Sequence, residues 1–281
     1  MSVQTAPPKT SIEARSPYEM RVHLGDDIPD TDVKSALKTG DLGFLHSFTT
    51  GSAVDGPGLR LVAWTTACMF RCQYCHNPDT WTLKNGIPVP LNRAIEEVRK
   101  YANGLIAMRG GFTLSGGEPL MQDRFAVRLF GAVKQMGVHT AIETNGYFGD
   151  RLSDEELKTI DLIILDMKAF NREQHERVTG IHNEEVLEFC KRLASLGRPM
   201  WLRYVLVPGL TDSPEEMAAV ANFGASLGVV ERAEILPFHQ MGRYKWERLN
   251  LDYKLEHAEP PTGELVAQAV EIFRDAGLSA A

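Results

Sequence analysis

Cysteine is scarce in this sequence and long apolar runs are missing, and each scarcity excludes a class of protein. Four cysteines in 281 residues are too few for a disulfide scaffold. Three of them crowd into a short segment, as metal ligands do, so a reducing compartment is expected. No stretch approaches the roughly 20 consecutive apolar residues that span a bilayer, and the N-terminus lacks the apolar core of a secretory signal. A cytoplasmic protein with no membrane partner is expected. Positive charge is short as well: 30 Lys and Arg stand against 37 Asp and Glu, a formal net charge of -7. An acid excess disfavours attraction to phosphate backbones, which argues against a nucleic-acid partner.

Hydrophobic residues make up 43% of the chain, enough for one sizeable core. Residues 1–43 mix Pro7, Pro8, Pro17 and Pro29 with Asp26, Asp27 and Asp30 without a sustained apolar period. They read as a flexible N-terminal extension, and their acidic content argues against a transit peptide. Residues 44–281 read as a single catalytic domain. Six apolar runs begin near residues 59 (LRLVAWTTA), 112 (FTLS), 139 (HTAIET), 161 (DLIILDMK), 200 (MWLRYVLV) and 232 (RAEILPF). Between them lie segments of helical spacing, such as Ile95, Val98, Ala102 and Leu105, or Phe125, Leu129, Phe130 and Val133. Ser213, Pro214 and Glu216 form a helix-start signal with a capping box, and a last helix is expected near 263–276. Alternating strands and helices of this kind predict an α/β fold, an open, partial (β/α)6 barrel whose active site lies at the carboxyl ends of the strands.

At the end of the first run, CMFRCQYCHN places Cys68, Cys72 and Cys75 in a C-x3-C-x2-C spacing. Three thiolates can hold three irons of a cubane and leave the fourth open. A zinc site completed by His76 or Cys190 is the alternative, which would make the chain a non-catalytic binding module. Cys190 shares a helical face with Val186, Leu187, Leu193 and Ala194 and is expected to be a small core hydrophobe. Arg203 interrupts an apolar strand and invites a carboxylate partner, from a cofactor or from the protein.

The cysteine loop, followed by a GGE motif after the second strand, resembles the radical S-adenosylmethionine superfamily. Within it, VDGPGLR at 54, YCHNPDTW at 74, LDMK at 165, WLRYVLVPGLTD at 201 and ILPFHQMGRYKW at 235 resemble the pyruvate formate-lyase activating enzymes. The likeness runs from Leu45 to the C-terminus, without the second cysteine-rich insert of larger glycyl-radical activases. It implies one 4Fe-4S cluster on Cys68, Cys72 and Cys75, S-adenosyl-L-methionine, and a monovalent cation at Glu143 and Asp166, although the related pattern carries Asp where this chain has Glu143. It also implies a glycyl-radical partner, pyruvate formate-lyase or another such as an anaerobic ribonucleotide reductase, and reduced flavodoxin or ferredoxin as electron donor. No acid–base side chain is needed beyond cluster and cofactor. By the same resemblance, Tyr74, Cys75, His76, Gly116, Gly117, Glu118, Asp166, Met167, Lys168 and His239 contact S-adenosylmethionine, with the GGE turn at its methionyl amino end. Asp55, Gly56, Pro57 and Gly58 line a groove for the partner's glycine loop, and HQMGRYKW forms the opposite wall.

Overall fold

The computed structural model describes residues 33–281. Eight strands form one sheet: β1 (Leu42–Ser52), β2 (Arg60–Thr65), β3 (Ile87–Pro90), β4 (Gly111–Gly116), β5 (His139–Thr144), β6 (Leu162–Asp166), β7 (Met200–Leu206) and β8 (Val230–Pro237), in the order β3-β1-β2-β4-β5-β6-β7-β8. From β2 to β8 every pairing is parallel, while β1 pairs antiparallel with both β2 and β3. The six parallel strands are the six apolar runs, curved as an open barrel.

Among the described residues, nine α-helices accompany the sheet: α1 (Val33–Thr39), α2 (Leu91–Ala107), α3 (Asp123–Gln135), α4 (Asp154–Leu157), α5 (Arg172–Thr179), α6 (Glu184–Ser195), α7 (Pro214–Ser226), α8 (Arg243–Arg248) and α9 (Gly263–Asp275). Val98, Ala102 and Leu105 of α2 and Phe125, Leu129, Phe130 and Val133 of α3 are buried against the sheet. On α9, the helix expected near 263–276, Ala269 and Phe273 are buried and Leu265, Val266 and Val270 half-covered. No helix among the described residues is long and apolar enough to cross a membrane.

Three expectations are corrected. The boundary at residue 43 falls inside β1, and residues 33–39 are helical, packed on α3 and β1; the stretch 1–32 lies outside the described residues. The two antiparallel strands add an edge not foreseen. Ser213 does cap α7 by accepting from Glu216 N, but the box is not reciprocal. The Glu216 carboxylate instead accepts from the backbone amides of Phe170 and Asn171 and so ties α7 to the segment after β6.

The inner face of the sheet explains the position of the site. Side chains alternate across a strand, so Ala141, Leu162, Ile164 and Trp201 form a small apolar floor. The next inward positions along three of the strands, Glu143, Asp166 and Arg203, are charged and line a cleft above that floor. Register puts Asp166 beside Arg203 and Arg203 beside Glu234.

Candidate active site

The cleft has a volume of about 1020 Å³ and opens at the carboxyl ends of the parallel strands. The cysteine loop leaves β2 through Ala67, whose φ of 74° is a left-handed conformation that costs a non-glycine residue on the order of 1 kcal/mol. Two contacts hold this bend: Ala67 N donates to Thr80 O at 2.8 Å, and Ala67 O accepts from Glu118 N at 2.7 Å. The GGE turn is thereby fastened to the cysteine loop.

Cys68, Cys72 and Cys75 all line the cleft, with Cys72 buried and the other two half-buried. Burial pushes all three thiols upward, Cys75 to about 12. They are therefore protonated until a metal displaces the protons. Asn145 Nδ2 lies 4.0 Å from Cys68 Sγ. From outside the loop, Trp246 Nε1 donates to Cys75 O at 2.9 Å and Lys245 Nζ donates to Asn77 Oδ1 at 2.6 Å. Cys190 is fully buried in α6, within the main core, and supplies no fourth thiolate.

This donor set fits a cubane with one open iron. Zinc does not fit as well. Tetrahedral zinc needs sulfurs roughly 3.8 Å apart, given Zn–S near 2.3 Å. Among the described residues, the one trio of His, Cys, Asp or Glu with all ligand atoms within 4.8 Å is His182, Glu184 and Glu185. The three sulfurs are therefore not all that close.

The glycines of the GGE turn answer to the protein's own backbone. A Cβ on Gly116, at φ 118°, would stand 2.2 Å from Thr65 N, and one on Gly117 would stand 2.3 Å from Ala67 O. Glu118 also departs from expectation. It is fully buried and absent from the cleft wall, and its carboxylate accepts from Leu120 N, Thr144 Oγ1 and Asn145 N. These three protein donors take up three of the roughly four acceptor positions of the carboxylate. Burial raises its pKa to about 7, against the pull of those donors.

Arg203 is the hub of the charged layer. It is 4% exposed; its Nε donates to Glu234 Oε2 at 2.7 Å, one terminal nitrogen donates to Glu143 Oε1, and the other to Val54 O. The remaining oxygen of Glu143 accepts from Ser115 Oγ at 2.5 Å. Burial pushes the Glu143 carboxyl upward, but Arg203 and Ser115 outweigh it and hold the group below its ordinary range. Lys168 Nζ lies 3.2 Å from Asp166 and 5.5 Å from the Tyr74 ring centroid. Burial disfavours the ammonium, yet Asp166 keeps it charged. Where a cation was expected, Glu143 and Asp166 already face a guanidinium and an ammonium. Of the two partners foreseen for Arg203, the structure shows the protein's own acids.

Other expected contacts divide. Tyr74 lines the cleft with its buried hydroxyl lacking a hydrogen-bond partner. His76 and His239 meet edge to face at 4.9 Å on the wall. Met167 is buried away from the cleft. Asp55 and Gly56 reach the cleft, whereas Pro57 and Gly58 do not. That turn is held by Arg60, which donates to Pro57 O, and by Thr113, which donates to Asp55 O. In HQMGRYKW, Met241 and Tyr244 are exposed at the rim, while Lys245 and Trp246 grip the cysteine loop. Ser115 and Glu234 were not singled out. Glu234 carried the same signal as Arg203, a charge inside an apolar strand.

The radical SAM superfamily profile matches residues 62–221, from β2 into α7. The chain belongs to the radical SAM superfamily. Members of this superfamily use a 4Fe-4S cluster and S-adenosylmethionine, which the cysteine triad and the cleft suit. This radical SAM chain is 43% identical over 234 residues to the pyruvate formate-lyase-activating enzyme of Staphylococcus epidermidis, covering 81% of this chain and 93% of that one. It is 38% identical over 238 residues to the pyruvate formate-lyase 1-activating enzyme of Escherichia coli K12, covering 84% and 97%. Among solved structures it resembles a domain of pyruvate-formate lyase-activating enzyme from Bacteroides vulgatus (TM-score 0.50, 25% identity, 61% of this chain and 98% of that one). Streptococcus suis SuiB bound to precursor peptide SuiA shares the fold (TM-score 0.57, 15% identity, 78% of this chain and 47% of that one).

Proposed function

We propose that this radical SAM protein is a cytoplasmic activase that installs a glycyl radical on pyruvate formate-lyase, taking its electron from reduced flavodoxin or ferredoxin. Held on Cys68, Cys72 and Cys75, the cluster together with S-adenosylmethionine would supply the one-electron radical chemistry that removes hydrogen from a glycine of the partner. The chain's own residues hold and orient. Cys68, Cys72 and Cys75 ligate three irons, and the absence of a fourth cysteine from the cleft carries this reading. The unpartnered Tyr74 hydroxyl and the Asp166–Lys168 pair offer polar contacts inside the cleft. Asp55 and Gly56 form the wall where a peptide would enter.

The test is anaerobic reconstitution with iron and sulfide, followed by reduction with S-adenosylmethionine and assay for 5'-deoxyadenosine. Cys68→Ala, Cys72→Ala and Cys75→Ala should each abolish the product, and Cys190→Ala should retain it. Product from any of the first three sinks the reading. Radical formation on another glycyl-radical enzyme, such as an anaerobic ribonucleotide reductase, but not on pyruvate formate-lyase would reject the substrate alone.

A further inference from the structure

The cysteine loop has two faces that alternate along the chain. Cys68, Phe70, Cys72 and Tyr74 line the cleft, whereas Met69, Arg71 and Gln73 lie outside it. The outer face is organised around Arg71, which is exposed yet fixed. Its side chain donates to Cys68 O at 2.7 Å and to Phe70 O at 2.8 Å, and its guanidinium lies 4.8 Å from the Trp81 ring centroid.

The end of α5 runs beside this face. Arg71 N donates to Thr179 O, Gln73 N donates to Val178 O, and the Gln73 side chain donates to the main-chain oxygen of Arg177. Exposed Arg177 therefore stands beside Gln73, two residues along the loop from exposed Arg71. Its side chain donates only to Gly209 O, at 3.3 Å, while Glu176 faces Arg172 at 3.6 Å. Among the described residues, neither Arg71 nor Arg177 has a carboxylate partner, in a chain whose net charge is -7. Trp81, under Arg71, meets Trp246 edge to face at 5.1 Å, and Trp246 bonds the carbonyl of Cys75. Two exposed arginines thus flank the outer side of the cysteine loop, Arg71 bonded to the Cys68 carbonyl itself and Arg177 on the helix that the loop pairs with.

The proposed reaction needs one electron, and the cleft must hold the cofactor and a peptide. An electron carrier is excluded from the cleft mouth while those are bound. We infer that the outer face of the cysteine loop, marked by Arg71 and Arg177, is the docking surface for an acidic one-electron carrier protein. This rests on the function proposed above. The carrier is oxidised by one electron and the cluster is reduced by one, with no atom transferred. Charge complementarity orients the encounter, and the loop places the carrier's redox centre near the cysteines. Opposite charge at such a rim governs association rate and salt dependence more than final affinity.

The probe is an acidic flavodoxin titrated against the full chain, both metal-free and cluster-loaded, at low and at physiological salt. Arg177→Glu reverses the charge while leaving the main-chain bond from Gln73 in place. It should weaken the complex about tenfold at low salt and flatten the salt dependence. Arg71→Gln should show a smaller loss, and Arg99→Glu, on the exposed outer side of α2, none. With dithionite, which needs no docking, Arg177→Glu should form 5'-deoxyadenosine at the wild-type rate. Wild-type binding and salt slope in both Arg71→Gln and Arg177→Glu would overturn the docking face, even if flavodoxin still drives the reaction. A wild-type chain inert with dithionite would instead overturn the proposed function, and the binding titrations would judge the surface separately.

Discussion

Replacing Glu118 by alanine removes a fully buried carboxylate that accepts from Leu120 N at 2.9 Å, Asn145 N at 2.8 Å and Thr144 Oγ1 at 2.7 Å. The threonine hydroxyl can rotate, but the two amides cannot. Each buried donor left without a partner costs about 1–3 kcal/mol, so the loss should be about 2–6 kcal/mol. At about 2–4 °C per kcal/mol for a chain of this size, the melting temperature should fall by at least about 4 °C. The assay is urea unfolding of the metal-free chain at pH 8, where the carboxylate form prevails, alongside S-adenosylmethionine binding to the loaded protein. The pH dependence gives a second readout. The folded carboxyl titrates near 7 against an ordinary 4.5, so the folded state binds the proton more tightly. Its contribution is complete below about pH 4.5 and is lost as pH rises through about 7, on the order of 3 kcal/mol in all. Glu118→Gln should flatten that slope. If Glu118→Ala unfolds within about 1 kcal/mol of wild type and yet loses the cofactor, the carboxylate is a ligand group and the structural reasoning fails.

Two further substitutions probe the same scaffold. Arg203→Leu leaves Glu143 buried without its guanidinium and Glu234 with only the exposed Arg232, which should cost about 3–5 kcal/mol in urea unfolding; near-wild-type stability would mean that these acids are solvated rather than paired. Gly117→Ala drives a Cβ to 2.3 Å from Ala67 O, so the cysteine loop must shift, and iron bound per chain after reconstitution should drop. Full loading would show that the turn and the loop are not rigidly joined.

The parallel part of the sheet was legible because a strand covered on both faces reads as a continuous apolar run, as LIILD in β6 does. β1 and β3 were hidden for opposite reasons. LGFLHSFTTGS is covered irregularly, and a bulge between Leu45 and Ser47 breaks its alternation. IPVP carries two prolines, which an edge strand tolerates and a central strand does not. In the site, the cysteines, Asp166, Lys168 and Arg203 could be found because thiols at close spacing and charges in apolar strands each demand an explanation. The protein partners of Glu118 were hidden because a motif names the residue without its partners. Whether that carboxylate meets a ligand or Asn145 N depends on the path of the next strand's end, which is a matter of register.

Trp246 donates to the carbonyl of a residue 171 positions earlier. The cysteine loop therefore leaves the ribosome early, and its outer clamp is among the last parts made. At roughly 5–20 residues per second, the loop waits on the order of 10–30 s for Trp246 to be synthesised. During that interval the three thiols belong to an incomplete cradle. The outer brace of the three thiols is thus completed only late in synthesis, and a chain stalled before α8 would carry all three cysteines without the Trp246 contact.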